Sequence, residues 1–512
     1  MADEPVLDID DIQGHILVGF RGKYQRILGL KFAAHHVEDV RQALLPWVDR
    51  VTSTARALDY RTMAKVQKAV GAAAAESQTV LLAIAVTAPG LTVFGAGDTL
   101  EDPDFLAGAG KSAVTLGDLV DQDSGIPVGW RFGDVTERTP ELIIVFGGDL
   151  ESAVSAESER FLRDLDGRAV TVVDEWGRRI PGEKEHFGFV DGLSQPAPRG
   201  LLPDGTPFVH RTLHEADPAT AAYARPGRPL VWPGQYVFGY SSELADNLEP
   251  GPISGGGRSF LKNGSLLVLR RLRQDVAGFL NGMVRLAEDM RAKGVQVSAE
   301  TVAAWCVGRW PDGSPLTLAP SKPDATIAAD EYLANGFLFA LDIPATTLGM
   351  PDGTTQHFPG APGDQEGYSC PYFAHIRKVN PRDDPVDFGG SGITRQAQMI
   401  RRGIPYGSEW TGENDDTDRG LLFMSYQTSI ANQFHRLVKR WANDAFAPLR
   451  TSGIDPVIGV SISPGRPLVR TFPNRGQVRT LLDGNWVRAT GAVYAFAPGI
   501  AELRKLIAGP TS

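Results

Sequence analysis

Three short stretches of this chain carry side chains whose types and spacing could do chemistry. The first, GYSCPYFAHIRKVNPRDD from Gly367, holds His375 followed by Arg377, Lys378 and Arg382. Cations crowded round an imidazole keep it neutral, because like charges repel. A neutral imidazole is what a metal takes as a ligand, and arginines grip an anionic ligand in forked pairs. A solvated basic loop with a chance histidine is the plain alternative. The second stretch, RRGIPYG, adds a basic knot at Arg401 and Arg402. The third is HFGFVDGLSQP, from His186 to Pro196. In it Asp191 stands among Phe187, Phe189, Val190 and Leu193, between Gly188 and Gly192. A carboxylate in an apolar frame suits a proton shuttle, and the glycines allow close backbone approach to a flat ligand. Alternatively, Asp191 caps a helix or closes a turn.

Heme offers both things the first stretch asks for, an iron and anionic propionates. Heme peroxidase chemistry needs an axial imidazole, an acid or base beside the peroxide, and a cation for the departing oxygen, and the three stretches hold such a set. Other motifs are weaker. GAGKSA, from Gly108, lacks the first glycine of a phosphate loop, where Phe105 stands, and reads as a surface turn. The glycines Gly255 to Gly257 read as a flexible loop. The acidic loop GENDDTDRG lacks calcium-loop spacing and reads as solvated. There is no GxSxG, HExxH or GxGxxG.

The elements that must position these groups come in two similar sets. HILVGF (His15 to Phe20), LKFAAH from Leu30, TVLLAIAV from Thr79 and ELIIVFGGD from Glu141 read as strands. Between and after them lie amphipathic helices, one with Val37, Val40, Ala43, Leu44 and Trp47 on a face, another with Val154, Phe161, Leu162 and Leu165. A Pro- and Gly-rich connector runs from about Lys184 to Pro233. The second set has strands at NGSLLVLRRL, FLFALDI from Phe337 and LLFMSYQ from Leu421. Its helices present Val276, Phe279, Leu280, Met283, Leu286 and Met290, then Ile430, Phe434, Leu437, Val438 and Trp441. Strands and helices mix without strict alternation, which predicts an α+β fold built as a pseudo-duplicated pair.

The length of 512 residues predicts two domains. A net charge of −10 argues against nucleic-acid or anionic-membrane binding, since both need a basic face. Cys306 and Cys370 form no disulfide framework or CxxC pair. The acidic start MADEPVLDIDDIQG has no signal-peptide pattern, and TVLLAIAV is too short to span a bilayer, so a cytoplasmic location is expected.

The sequence resembles the dye-decolorizing peroxidases. Gly188 to Gly192 matches the family's GxxDG signature, CPYFAHIRKVNPR its proximal segment and RRGIPYG its distal arginine segment. DIDDIQGHILVGF, NGSLLVLRRLRQDV, GRWPDGSPLTLAP and RGLLFMSYQTSIANQF extend the likeness over nearly the whole chain. The length and the missing export signal look most like the long bacterial and fungal-like branches. The resemblance implies two ferredoxin-like domains with antiparallel sheets, residues 1–225 and 226–512, and heme b between or within them. It implies His375 as iron ligand, with Asp191 and Arg401 catalytic. Gly188, Phe189, Gly192, Arg377, Leu421 and Phe423 would contact the heme, with Arg377 at a propionate. The implied reaction reduces hydrogen peroxide through a ferryl intermediate and oxidises dyes and phenols, with a surface Tyr or Trp relaying electrons; an oligomer is compatible. A heme-binding or heme-delivery protein is the alternative. One departure concerns the proximal side: relatives often read QFE where this chain reads QFHR, with His435 in the place of a carboxylate that would accept the proximal imidazole N–H.

Overall fold

Two runs of strand–helix–strand–strand–helix–strand build the main sheet. The first comprises β1 (Tyr24–Phe32), β2 (Leu81–Val86), β3 (Leu142–Gly148) and β4 (Ala169–Arg178), with helices α1 (Val37–Val48) and α2 (Glu151–Asp164). The second comprises β5 (Ser265–Gln274), helix α3 (Val276–Ala292), the short strands β6 (Ile400–Arg401) and β7 (Ile404–Tyr406), β8 (Gly420–Gln427), a π-helix (Ile430–Ala442) and β9 (Val487–Ala497). A short helix α4 (His375–Val379) lies between α3 and β6. This computed structural model describes the chain except for residues 1–4, 33–36, 70–76, 98, 202–222, 226–227, 245–248, 331, 350–354, 387–389, 413–415, 448–451, 461–464 and 510–512. The tail of LKFAAH, much of the connector and part of the acidic loop lie outside the described residues.

The strands form one antiparallel sheet in the order β6–β8–β5–β9–β2–β3–β1–β4, with β7 also beside β8. In each half the first strand lies between the third and the fourth, the ferredoxin-like order. The α+β fold of two such units, expected from the sequence, is therefore present. The halves meet at a thin seam, the pair Phe496↔Val86 of β9 and β2. The Gln13 side chain fills the seam: its amide donates to Ile84 O (2.8 Å) and Pro498 O (2.9 Å), and its carbonyl accepts from Ile84 N (3.0 Å). The outer strands β4 and β7 also come together, so closely that a Cβ on Gly177 would lie 2.3 Å from Ile404 Cγ2. The sheet thus curls towards a barrel. Alternation along β8 sends Leu422, Met424 and Tyr426 into a core with Ile27, Val145 and Leu267, and turns Leu421 and Phe423 to the other face.

Several expected elements differ. HILVGF is not a strand: Gly14–Leu17 is a buried helical turn. A Cβ on Gly14 would meet Ala57 Cβ and Ser53 O at 2.7 Å, and a short apolar run cannot by itself tell strand from buried helix. FLFALDI forms no strand either, because the N–H groups of Phe339, Ala340 and Leu341 go to the Asp383 carboxylate instead of a neighbouring strand. GAGKSA opens a helix, Ala109–Leu116, with Lys111 exposed. The central strand β9 and the edge strand β4 were missed, although VYAFA in β9 is rich in aromatic and β-branched residues. Among the described residues no helix is long and apolar enough to cross a membrane.

Candidate active site

His375 opens helix α4 directly after a buried anchor, Cys370, Phe373 and Ala374, which packs into the core around α3. Its Nδ1 meets Asp455 Oδ2 at 2.8 Å. Asp455 is fully buried, and its other oxygen accepts the N–H groups of Val457 (2.8 Å) and Ile458 (3.0 Å). Burial opposes the Asp455 anion, but the imidazole and these two donors outweigh it and hold the carboxyl below its usual range. Burial likewise opposes the imidazolium, yet Asp455 more than offsets it and holds His375 above its ordinary value. An ionised Asp455 makes Nδ1 the donor, which leaves Nε2 as the ring nitrogen available to the cavity that His375 lines.

That cavity has a volume of about 300 Å³. Its sheet wall carries Leu421 and Phe423, and the π-helix contributes Phe434, Leu437 and Val438. Asp191 and Arg401 reach it from opposite halves of the chain. Asp191 is solvent-exposed where it lines the cavity, and its Oδ1 accepts Gly192 N–H at 2.6 Å. Gly188 and Gly192 have φ of 94° and 74°, and no atom lies within 4 Å of a Cβ built on either. Gly192 and Phe189 line the cavity, whereas Gly188 sits between two lining residues. The Arg401 guanidinium donates to Ser194 O at 2.5 Å, and its backbone N–H and C=O pair with the Gln195 side chain, both at 3.1 Å. Burial pushes its pKa down while Asp191 opposes the shift. The structure therefore brings His375, Asp191 and Arg401 to one cavity.

Arg377 is a correction. It is fully buried away from the cavity, with Nε and Nη2 on Asp384 (2.7 and 2.9 Å) and Nη1 on Asp364 (3.2 Å) and Cys370 O (2.8 Å). Lys378 also turns away, to Asp444 O (2.7 Å), Ala447 O and Ser452 Oγ (3.1 Å). Successive helical residues diverge by about 100°, so neighbours of His375 in sequence do not surround its ring. The imidazole thus faces a carboxylate, not the ring of cations that the sequence suggested. Arg402 leaves the site as well, donating to His15 O and Ile16 O, both at 2.9 Å. His435 pairs with Tyr494 Oη (2.9 Å) and Asp104 (3.3 Å), and the place beside the His375 imidazole belongs to Asp455.

Sequence reasoning missed Asp455, 80 positions from His375, for which GIDP offers no local signal. It also missed Arg309, which stands in GRWPDGSPLTLAP. Arg309 lines the cavity and donates to Gly313 O (2.8 Å), Ala334 O (2.7 Å) and Asn335 Oδ1 (3.0 Å). It has no carboxylate partner among the described residues, and burial pushes it down to about 10.

Two family models match this chain: the DyP dimeric alpha+beta barrel domain at residues 11–176, and the Dyp-type peroxidase C-terminal domain at residues 356–450. The dye-decolorizing peroxidase msp1 of Mycetinis scorodonius is 29% identical, over 98% of this chain and 88% of its own. The multifunctional dye peroxidase DyP2 of an Amycolatopsis species is 28% identical, over 86% of this chain and 84% of its own. A solved ancestral D-type dye-decolorizing peroxidase superposes with a TM-score of 0.78 at 28% identity, covering 99% of this chain and all of that one. A solved dye-decolorizing peroxidase in complex with 2,6-dimethoxyphenol gives 0.73 at 25% identity, covering 98% and 100%.

Proposed function

We propose that in this chain, which belongs to the dye-decolorizing peroxidases and is a heme-dependent enzyme that reduces hydrogen peroxide, the iron is held by His375 and peroxide is worked on by Asp191 and Arg401. The cavity fits the cofactor. Its walls are mostly apolar, one imidazole nitrogen faces it, and the buried Arg309 and half-buried Arg401 are in no salt bridge with a carboxylate among the described residues. Heme b, held by no covalent bond, is the form we assign. Bound there, heme supplies an iron that accepts electrons from organic donors and passes them to peroxide.

His375 would hold the metal through Nε2. Asp455 keeps the proton on Nδ1 and makes the imidazole a stronger donor. Gly192 N–H occupies Asp191 Oδ1, so Oδ2 is the atom free to take a proton from the near peroxide oxygen and return it to the far one. Arg401, anchored on Ser194 O, turns its remaining N–H groups to the charge that grows as the O–O bond breaks. Dyes and phenols such as dimethoxyphenol are the assigned electron donors. A bulky dye exceeds a cavity of about 300 Å³, so it would react through a tyrosine or tryptophan at the surface. The same reading divides the chain into units 1–225 and 226–512.

The observation that carries this reading is the convergence of the His375–Asp455 pair, Asp191 and Arg401 on one cavity. Stopped-flow mixing with peroxide from about pH 3 to pH 7 tests it, a span that brackets an ordinary carboxylate. Asp191→Asn should slow the reaction roughly a hundred- to ten-thousandfold and abolish the acid limb of its pH profile. Arg401→Leu should slow it about a hundred- to a thousandfold and keep that limb. A wild-type rate in Asp191→Asn at every pH would make Asp191 structural.

A further inference from the structure

A second carboxylate lies in the same wall, and the reaction described so far does not use it. Glu185 lines the cavity six residues before Asp191. The chain there doubles back on itself: Glu185 N donates to Phe189 O (3.0 Å), Gly188 N to Glu185 O (2.9 Å) and Asp191 N to Glu183 O (2.9 Å). The Glu185 side chain closes the same turn. Its Oε2 accepts Phe187 N–H (2.8 Å) and the Gln274 amide of β5 (2.6 Å), and its Oε1 accepts Phe189 N–H (3.0 Å). Both phenylalanines are further set by Phe279 of α3, at ring distances of 4.3 and 6.5 Å.

Three N–H donors converge on Glu185, and no cation pairs with it among the described residues. Only an acceptor-only group satisfies all three. A glutamine in either orientation sets its own N–H against a backbone N–H, and leaving a buried donor unmet is costly. The loop therefore selects a carboxylate, although a carboxylate is the expensive choice in a buried wall.

We propose that Glu185 is a positioning residue for the peroxide reaction: its carboxylate shapes the turn that aims Asp191 into the cavity, and its charge acts on the proton that Asp191 carries. This rests on the reading of Asp191 as the proton carrier. Burial pushes Glu185 up to about 7 against the three hydrogen bonds, and Asp191 raises it further. Glu185 is therefore neutral through most of the span from about pH 3 to pH 7 and gains its charge near the top of it. The other charged groups in the walls are Arg270 with its partner Asp118, Arg309, Arg382, Arg401 and His375.

The test uses the full-length, heme-loaded protein. In Glu185→Gln, amide hydrogen exchange at whichever of Phe187 and Phe189 faces the new side-chain NH2 should quicken roughly five- to tenfold, the loss of about one net hydrogen bond. The peroxide rate, followed to about pH 9, should change again near pH 7, where Glu185 gains its charge beside Asp191, and Glu185→Gln should lose that change and keep the acid limb. Gln274→Leu leaves the turn's own bonds intact and removes only the donor from β5, which favours the neutral acid. It should move the change near pH 7 upward, and it serves as the measurement if Glu185→Gln does not fold. A wild-type profile with no change near pH 7, a change that persists in a folded Glu185→Gln protein, or one left in place by Gln274→Leu where that variant stands in, overturns the proposal. So does unchanged exchange at both amides in Glu185→Gln. A failure of the underlying reading looks different: Asp191→Asn would keep its acid limb while the exchange at Phe187 or Phe189 still responded to Glu185→Gln.

Discussion

On the proposed reading, Asp455 decides what kind of ligand His375 is. A carboxylate on Nδ1 fixes the tautomer and pushes electron density towards Nε2. His375→Ala should leave the protein without heme, read as loss of the Soret band after reconstitution; full occupancy would reassign the ligand. Asp455→Asn should keep the ligand, weaken loading roughly ten- to hundredfold and raise the iron's reduction potential. Heme titration and spectroelectrochemistry read the two effects, and wild-type values in both would remove Asp455 from the site. His375, Asp191 and Arg401 were legible in the sequence because each sits inside a compact motif of glycines, prolines and cations. Asp455 was not, because its partner is set by tertiary folding and its own stretch resembles an ordinary turn. Arg377 was misplaced for a related reason: nearness in sequence on a helix says little about which way a side chain points.

At the scale of elements, the seam between β9 and β2 depends on a side chain where a sheet ordinarily uses backbone. Gln13→Leu removes three hydrogen bonds and leaves both polar groups of Ile84 unmet at that edge. It should cost about 2–4 kcal/mol, measured from the denaturant midpoint. A loss under half a kcal/mol, an ordinary surface effect, would mean that water replaces the amide. The π-helix also distributes its residues in a way its sequence did not disclose. It gives Phe434, Leu437 and Val438 to the cavity and sends His435 to Tyr494 and Asp104. His435→Ala should therefore retain heme and its reduction potential while losing about 1 kcal/mol of stability. A shifted potential would place His435 back beside the iron. Apolar periodicity revealed this helix and α3 well. It could not reveal that FLFALDI has its N–H groups taken by Asp383, because a carboxylate met through a distant loop leaves no periodic trace.

The molecule as a whole is closed by charge where its strands do not pair. Arg271 of β5 is 2% exposed and holds Glu175 of β4 at 2.7 Å, Asp418 at 2.7 Å and the Tyr406 hydroxyl of β7 at 2.9 Å. It thus ties a central strand of the second half to the far edge of the first. Arg271→Met would leave the buried Glu175 with only Arg131 at 4.0 Å, while Asp418 keeps Arg131, and removing one partner of a buried pair costs about 3–5 kcal/mol. Equilibrium unfolding in urea should show that loss, and a change below 1 kcal/mol would reduce the network to surface pairing. Two similar halves were visible in the order of strands and helices. Their union into one curled sheet was not, since the contacts that close it are Gly177 against Ile404 and side chains around Arg271.

The bonds between Arg401 and residues Ser194 and Gln195 join positions more than 200 apart in the chain. A ribosome makes the loop bearing Asp191 long before it makes His375 or Arg401. On the proposed reading, the imidazole that would capture iron therefore emerges only when the proton-handling loop already exists. The cation that completes the set follows 26 residues later, with that loop waiting as its anchor. On that reading a nascent chain cannot hold metal before its proton-handling loop has been made.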